Sequence, residues 1–263
     1  RNRRLLGLTT RWLSSPAGTY GGWISLDSLG TQHAALLTRL MLDSFPNLYW
    51  RMNPYCQPPA VAPSARSDFT QRIALATVEG DAIKLQSKGH RSAVSKALRA
   101  GISIGRAADD SDWDAYYGIY LDSLQRWGAR ATSRYDSALF SLLRRQASAT
   151  SHVDLWLAKD GACTIAGALC LTSKQAVVYW HGAMLDSHQE QRPSNLLFTR
   201  LIEHYADNGM RWLDFNPSGG HDGVVEFKRR FGAEMAAADV VETRSGLLRL
   251  ASRVAAMRNK AMR

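Results

Sequence analysis

Apolar residues recur along the chain at two spacings, one helical and one alternating, and the balance between them shifts from the first half to the second. From Thr31 to Ser44, Ala34, Leu37, Leu40 and Met41 fall at helical spacing and predict an amphipathic helix. Between Lys88 and Gly101, Val94, Ala97, Leu98 and Gly101 form an apolar stripe. Lys88, Arg91, Lys96 and Arg99 supply charge on the other faces, and Gly101 provides the C-cap. Ser111–Leu124 predicts an aromatic-rich helix capped by Ser111 or Asp112. Tyr135–Gln146 predicts a second helix, and Ser194–Asn208 a third whose core face is Leu196, Leu197, Leu201, Ile202 and Tyr205. Strands are predicted at Asn47–Met52, Phe69–Val78 and Ile102–Arg106. Three further runs, Val153–Ala158, Cys163–Thr172 and Ala176–Met184, are separated by hairpin-length connections and predict an antiparallel meander. Trp212–Phe215 and Ala236–Val241 predict two late strands, and a basic helix is expected from about Leu247. Leu5–Trp12 reads as the end of a strand or helix. The segment carrying Pro54, Pro58, Pro59 and Pro63 reads as a surface loop.

Within this pattern Met210–Ala233 stands out. A short apolar strand gives way to Pro217, Gly219, Gly220 and Gly223, and then to the basic run Phe227-Lys228-Arg229-Arg230-Phe231-Gly232. Asp214, Asn216, Ser218, His221 and Asp222 sit at the strand-to-loop transition, where α/β proteins build their sites. Two other stretches could approach a ligand. Ser14–Trp23 is Gly-rich but lacks the pattern of a P-loop, so it is either a tight turn or a close backbone approach around Tyr20, Gly21 and Gly22. Lys88-Gly89-His90-Arg91 opens a helix, and is either a solvated basic face or a phosphate-facing helix start.

Composition narrows the function classes. The 263 residues suit one large domain or two small ones, and 45% hydrophobic with 21% charged residues is ordinary for a globular chain. The start, Arg1-Asn2-Arg3-Arg4, has neither an initiator Met nor a signal peptide, so a fragment with part of an N-terminal domain missing is expected. No apolar run approaches the roughly 20 residues of a membrane span. The net charge of +10 favours an anionic partner, or reflects solubility and a basic tail. Cys56, Cys163 and Cys170 lack metal-ligand spacing, so no metal is expected. Cys163 and Cys170 read as buried free thiols, which fits a reducing cytoplasm.

Several segments together resemble the FemAB-like branch of the GNAT acyltransferase superfamily, which includes peptidyltransferases of peptidoglycan synthesis and acyltransferase-like proteins of polysaccharide gene clusters. They are Ser15-Pro16-Ala17-Gly18-Thr19-Tyr20-Gly21-Gly22; Lys88 to Ala97 followed by Ala100-Gly101-Ile102; Tyr179-Trp180-His181-Gly182-Ala183 and Pro193; Asp214-Phe215-Asn216; and Phe227 to Gly232. The order of predicted elements, meander first and βαβ afterwards, is that of the GNAT fold. The resemblance implies an α/β (α+β) fold of tandem GNAT-like domains with mixed antiparallel and parallel sheets flanked by helices. They would span residues 1–107, incomplete at its start, and 108–263. It implies direct acyl transfer to an amine, with acyl-CoA or aminoacyl-tRNA as co-substrate and no tightly bound cofactor. The acceptor would be a nucleotide- or lipid-linked glycan or peptide, with tRNA and peripheral membrane contact as further partners. The segment Gln189–Asn195 lacks the Gly-rich loop that holds pyrophosphate in acetyl-CoA-dependent members. Arg192, Ser194 and Asn195 either meet a donor phosphate there or cap the helix.

The chemistry asks for proton removal from the amine, stabilisation of the oxyanion and alignment. His181, Asp214 or the substrate itself through water could remove the proton, and His181 and Asp214 each also read as structural, the one as a hydrogen-bonding residue and the other as a loop cap. Lys228 could stabilise the oxyanion or hold an acceptor carboxylate, the resemblance placing it near the reacting groups, or it is a surface Lys on a basic helix. Lys88 and Arg91 would bind pyrophosphate. Tyr20, Gly21, Gly22, Tyr179, Asn216 and Phe227 would contact substrate, while Phe227 and Phe231 also read as core anchors. A nucleic-acid-binding protein without catalysis, suggested by the charge and 8 Trp, and a degenerate GNAT scaffold are the competing readings.

Overall fold

A computed structural model describes residues 2–4, 9–15, 19–25, 27–56, 62, 65–78, 81–128, 131 and 134–245. Pro16, Ala17 and Gly18 of the Gly-rich loop, Pro58, Pro59 and Pro63, residues 5–8, and the final helix expected from Leu247 lie outside the described residues. In chain order the elements are β1 (Asn2–Arg4), β2 (Thr9–Leu13), α1 (Thr31–Ser44), β3 (Leu48–Arg51), β4 (Ala65–Arg66), β5 (Phe69–Ala74), α2 (Lys88–Arg99), β6 (Ser103–Arg106), α3 (Asp110–Trp127) and α4 (Ser137–Ala149). They continue with β7 (Val153–Asp160), β8 (Cys163–Thr172), β9 (Ala176–Met184), α5 (Pro193–Asp207), β10 (Trp212–Asp214), α6 (Asp222–Arg229), β11 (Glu234–Ala237) and β12 (Val240–Glu242). The fold is mixed α/β.

The chain divides into two compact units, Arg1–Thr70 with Ala236–Arg263, and Gln71–Met235. The boundary expected at residue 107 falls inside the second unit. In the first unit a five-stranded sheet has the order β1-β2-β3-β12-β4. Its core gathers Leu48, Trp50, Met52, Ala62 and Val241, with Trp12, Trp23 and Phe45 packed against them. The indole N–H of Trp50 donates to the Gly21 carbonyl at 2.9 Å, so the buried ring carries no unpaired donor.

The second unit is organised on the sheet β11-β5-β10-β9-β8-β7-β6. Strands β6 to β9 form the antiparallel meander, β10 lies parallel to β9, and β5 runs antiparallel to β10. Alternation sorts the side chains onto two faces. Leu155 and Leu157 of β7 and Leu169 of β8 point at α3 and α4, where they meet Trp113, Tyr116, Tyr120 and Phe140. Trp156, Ala168 and Cys170 point the other way, into a core with Phe198, Leu201, Ile202 and Tyr205 of α5.

Several local expectations are corrected. The run Phe69–Val78 is a strand only to Ala74, then a single 3₁₀ turn over Leu75–Thr77. Ala236–Val241 is two strands, because the chain turns where Ala238 N–H donates to the Asp68 carbonyl and the Asp239 carbonyl accepts from Met52 N–H. The cap of α3 is Asp109, whose carboxylate accepts the Asp112 N–H at 3.2 Å. Leu98 is exposed, so the buried stripe of α2 is Val94 and Ala97. Cys163 is exposed and only Cys170 is buried.

Candidate functional site

Two constellations occupy the second unit near the end of β10. The first is the loop from β10 into α6. Asp214 ends the strand with its side chain fully buried, and one carboxylate oxygen accepts the Asn216 N–H at 2.6 Å. That bond closes a local turn, and Asn216 adopts φ +62°, a left-handed conformation Asn tolerates better than most residues. Lys228, only 4% exposed, reaches back from α6. Its Nζ donates to the Asn216 carbonyl at 2.6 Å and to Ser218 Oγ at 2.8 Å. Gln71 fastens the loop from the other side. Its backbone carbonyl accepts the Phe215 N–H, its side-chain amide donates to the Val225 carbonyl at 2.9 Å, and its Oε1 accepts the Ser218 hydroxyl at 3.3 Å. Burial lowers the Lys228 pKa to about 8, while the Asp214 charge pulls it upward. Asn216 Oδ1 is buried without a protein partner among the described residues, a polar atom that a ligand N–H or O–H would satisfy.

The second constellation is on β9. This strand pairs with β10 only through Ala176, Val177 and Val178; on that side it runs on to Met184 without a strand partner among the described residues. On its other side it pairs with β8, and the register slips so that Leu169 faces His181 while Cys170 faces Tyr179. Trp180 is therefore the extra residue of a β-bulge, which re-aims the side chains after it. Without it Tyr179 and His181 would share a face. Instead Tyr179 packs edge-on to Phe198 of α5 at 4.8 Å, and His181 turns into a box of Tyr116, Tyr120, Tyr135, Phe140 and Trp180 rings on the opposite face. Residue 182 is a glycine because a methyl there would collide with the Tyr179 hydroxyl. Tyr116 Oη lies 2.6 Å from His181 Nδ1. Burial lowers the His181 pKa to about 4, so the imidazole is neutral at physiological pH, and burial raises the Tyr179 phenol. Val178 stands beside Asp214, and because the bulge lets the step from Val178 to His181 advance only from Leu171 to Leu169 of β8, His181 is about 7 Å along the strand from that pair.

The structure thus brings Asp214, Asn216 and Lys228 into direct contact and sets His181 apart from them. Phe227 lies at the edge of the core against His90, Phe198 and Phe231, and Phe231 is fully buried, in keeping with anchor roles. At the start of α5, Arg192 is exposed and left-handed with φ +60°. No side chain caps that helix, Asn195 is buried, and the Ser194 hydroxyl rests on Met184 Sδ at 3.5 Å. At the start of α2, Ser87 is the cap and Lys88 is exposed. Arg91 donates from Nη1 to the Gln86 carbonyl at 2.6 Å, and His90 is buried against Phe231 at 4.4 Å. Tyr20, Gly21 and Gly22 belong to the first unit. There Tyr20 meets Tyr55 edge-on at 6.3 Å, and Gly21 donates its N–H to the Arg51 carbonyl at 2.8 Å. A Cβ on Gly21 would strike Ser14, which gives this glycine a packing reason. Ser218 is one of the polar loop residues that the sequence singles out, whereas nothing in the local pattern marks Gln71 or Tyr116 for these roles.

Comparison with known proteins places this architecture. Residues 84–229, more than half of the chain, match the family described as "Acetyltransferase (GNAT) domain". Among solved structures, FemX is similar with a TM-score of 0.56 at 12% identity, over 72% of this chain and 65% of that one. L-PGS from Bacillus licheniformis is similar with a TM-score of 0.53 at 10% identity, over 80% and 73%. The C-terminal domain of a putative lysylphosphatidylglycerol synthetase from Agrobacterium fabrum is similar with a TM-score of 0.51 at 12% identity, over 80% and 72%. The match thus spans just under two thirds of the FemX chain, and these likenesses establish the fold. No curated protein matches the sequence. The matched segment runs from the turn before α2 to the end of α6 and so contains β9 with its bulge, α5, and the Asp214–Lys228 loop: the chain belongs to the GNAT acetyltransferase-domain family.

Proposed function

We propose that the chain is an N-acyltransferase that passes an acyl or aminoacyl group directly from an activated donor to an amine of a cell-envelope or exopolysaccharide precursor. The observation that carries this reading is the junction of β9 and β10 inside the family segment. The two strands part after Val178, leaving β9 from Tyr179 to Met184 without a strand partner on one side among the described residues, with the Met184 carbonyl accepting from Arg126 at 3.3 Å. The fastened loop of Asp214, Asn216 and Lys228 lies at the end of β10. An open strand edge offers backbone N–H and C=O groups to an extended, amide-bearing donor or acceptor arm.

In the transfer the acceptor nitrogen attacks the donor carbonyl, the new C–N bond forms, and the C–S or C–O bond to the leaving group breaks. The nitrogen loses a proton and the leaving group takes one up. His181 is the group proposed to receive the proton, because its imidazole is neutral and no described residue bonds to its Nε2. Asp214 is fully buried and already holds the Asn216 N–H, so its part is to shape the loop. Lys228 directs two of its three donors to that loop and acts on the acyl group through the position of Asn216. At the start of α5 no side chain caps the helix, Pro193 has no N–H and the Asn195 N–H donates to the Arg192 carbonyl, so the exposed Arg192 is the group proposed to meet an anionic donor phosphate. Lys88 and Arg91 at the start of α2 are proposed for the phosphate of the acceptor.

The missing Gly-rich loop before α5 leaves acyl-CoA and aminoacyl-tRNA as the two donor classes. One similar structure is that of a putative lysylphosphatidylglycerol synthetase domain, which adds a lipid headgroup to the acceptor classes. Among the described residues no helix is long and apolar enough to cross a membrane. Free thiols at Cys56, Cys163 and Cys170 fit the reducing cytoplasm, where both donor classes are made. The test offers acetyl-CoA, longer acyl-CoAs and charged tRNAs with amine-bearing glycan, peptide and lipid acceptors, and reads the mass of each acceptor. A gain of one acyl or aminoacyl mass with one donor class is expected. Unchanged mass across every pairing, from folded protein, overturns the reading.

A further inference from the structure

The contact between Tyr116 and His181 contains more than one hydrogen bond. Tyr116 Oη lies 2.6 Å from His181 Nδ1 and 3.3 Å from the carbonyl oxygen of the same residue. A phenol has one proton and an imidazole nitrogen can either donate or accept. If the hydroxyl donated to Nδ1, its oxygen and the carbonyl oxygen would face each other with no proton between them. If Nδ1–H donates to Oη, the hydroxyl proton is free to reach the carbonyl, and both contacts become hydrogen bonds.

Three features outside the pair hold it in place. Tyr116 is fully buried on α3, and its ring lies against Gly167 of β8, where an added Cβ would stand 2.6 Å from the ring. The bulge at Trp180 turns His181 toward that ring. The surrounding rings of Tyr120, Tyr135 and Phe140 lie 4.7 to 5.8 Å from the imidazole and block other orientations. No described residue bonds to Nε2.

We propose that Tyr116 is a positioning residue: it accepts Nδ1–H and donates to the His181 carbonyl, fixing the tautomer whose Nε2 lone pair takes the proton from the acceptor amine. The proposal rests on the acyltransferase reading for the role of that lone pair, but the tautomer itself is independent of it. As the amine nitrogen bonds to the donor carbonyl, its N–H becomes acidic; the proton moves to Nε2 and the imidazolium then carries a proton at both nitrogens. Tyr116 remains the acceptor for Nδ1–H throughout, so no rearrangement is needed during the step.

Nitrogen NMR of the full chain with labelled histidine tests this near neutral pH, with His181 assigned by its loss in His181→Gln. The expected spectrum has a protonated-type shift at Nδ1 and an unprotonated-type shift at Nε2. Tyr116→Phe is expected to move His181 toward the opposite tautomer and to lower kcat by about 10- to 100-fold, with the acceptor KM changed less than about threefold. A wild-type spectrum with the proton on Nε2 overturns the proposal whatever the variant does, as does a Tyr116→Phe spectrum identical to wild type. Absence of any transfer with the predicted tautomer intact would instead overturn the functional reading.

Discussion

Lys228 is a buried base and His181 a partly buried one, desolvation lowers the proton affinity of each, and yet the two regions of the second unit use their polar atoms in opposite ways. Lys228 directs its N–H groups inward, to the Asn216 carbonyl and Ser218 Oγ, and so fixes a loop. His181 is gripped at one nitrogen by Tyr116 and presents the other without a partner among the described residues. A charged residue in a family motif is the conspicuous candidate for chemistry. On the proposed reading the uncharged one is the better proton acceptor, because a neutral imidazole offers a lone pair and a charged ammonium has none.

The sharpest way to break this contrast is to remove each group while keeping its bulk. His181→Gln should lower kcat by about 10²- to 10⁴-fold, the usual range for losing a general base. Lys228→Met keeps the apolar stem and loses the two loop bonds. It should lower kcat/KM by only about tenfold, mostly through a higher KM, as the loop around Asn216 loosens. Steady-state kinetics with the donor found by mass spectrometry would decide. If Lys228→Met instead removed about 10²- to 10³-fold from kcat alone, Lys228 would be the oxyanion donor and the contrast would fall.

Two glycines extend the comparison to packing. Gly167→Ala places a methyl against the Tyr116 ring on the His181 side of the sheet, and Gly182→Ala places one against the Tyr179 hydroxyl on the α5 side. Each should destabilise the chain by about 1–3 kcal/mol in chemical denaturation, the usual cost of overpacking. Only Gly167→Ala should also shift the His181 tautomer. Equal effects of both on the imidazole would mean that its position is set by the sheet as a whole.

How far the site could be read from the sequence depends on the range of the interactions. The helices and the meander come from short-range periodicity, and α1 runs over Thr31–Ser44 as its apolar spacing predicts. The Asp214–Asn216 turn is local too, since one side chain closes it onto the backbone two residues away. The burial of Lys228 was not legible. Its position on a short basic helix reads as solvent-facing, and only the chain reversal between Asn216 and α6 turns it inward. The partners of His181 were equally hidden. They come from α3, α4 and the segment between them, and a one-residue bulge at Trp180 decides which face the imidazole takes. Alternation along β9 would have placed it beside Tyr179.

The smallest expected effect is the most direct on the two bases, because their protons report on them at different pH. The His181 pKa is lowered to about 4 from an ordinary 6.5, and that of His90, buried and near Arg230, also to about 4. Above pH 6.5 neither the folded nor the unfolded chain protonates these rings. As pH falls from 6.5 toward 4, the unfolded chain takes up protons that the folded chain refuses, so stability falls. Lys228 works in the other window. Below pH 8 both states carry its charge and the folded state bears the desolvation cost; as pH rises from about 8 to 10.5 the folded chain sheds the proton first, and stability rises. Each group contributes a slope of at most ~1.4 kcal/mol per pH unit. Urea titrations should therefore show the acid limb softened but not abolished by His181→Gln, since His90 remains. They should show the alkaline rise removed by Lys228→Met. Measurements between pH 4.5 and 6.5 avoid the Glu226 carboxyl, which its bonds to Arg229 and Arg230 hold near 2. An alkaline rise that survived in Lys228→Met would mean that the buried ammonium is not the group being relieved, and that its loop bonds offset the cost of burying it.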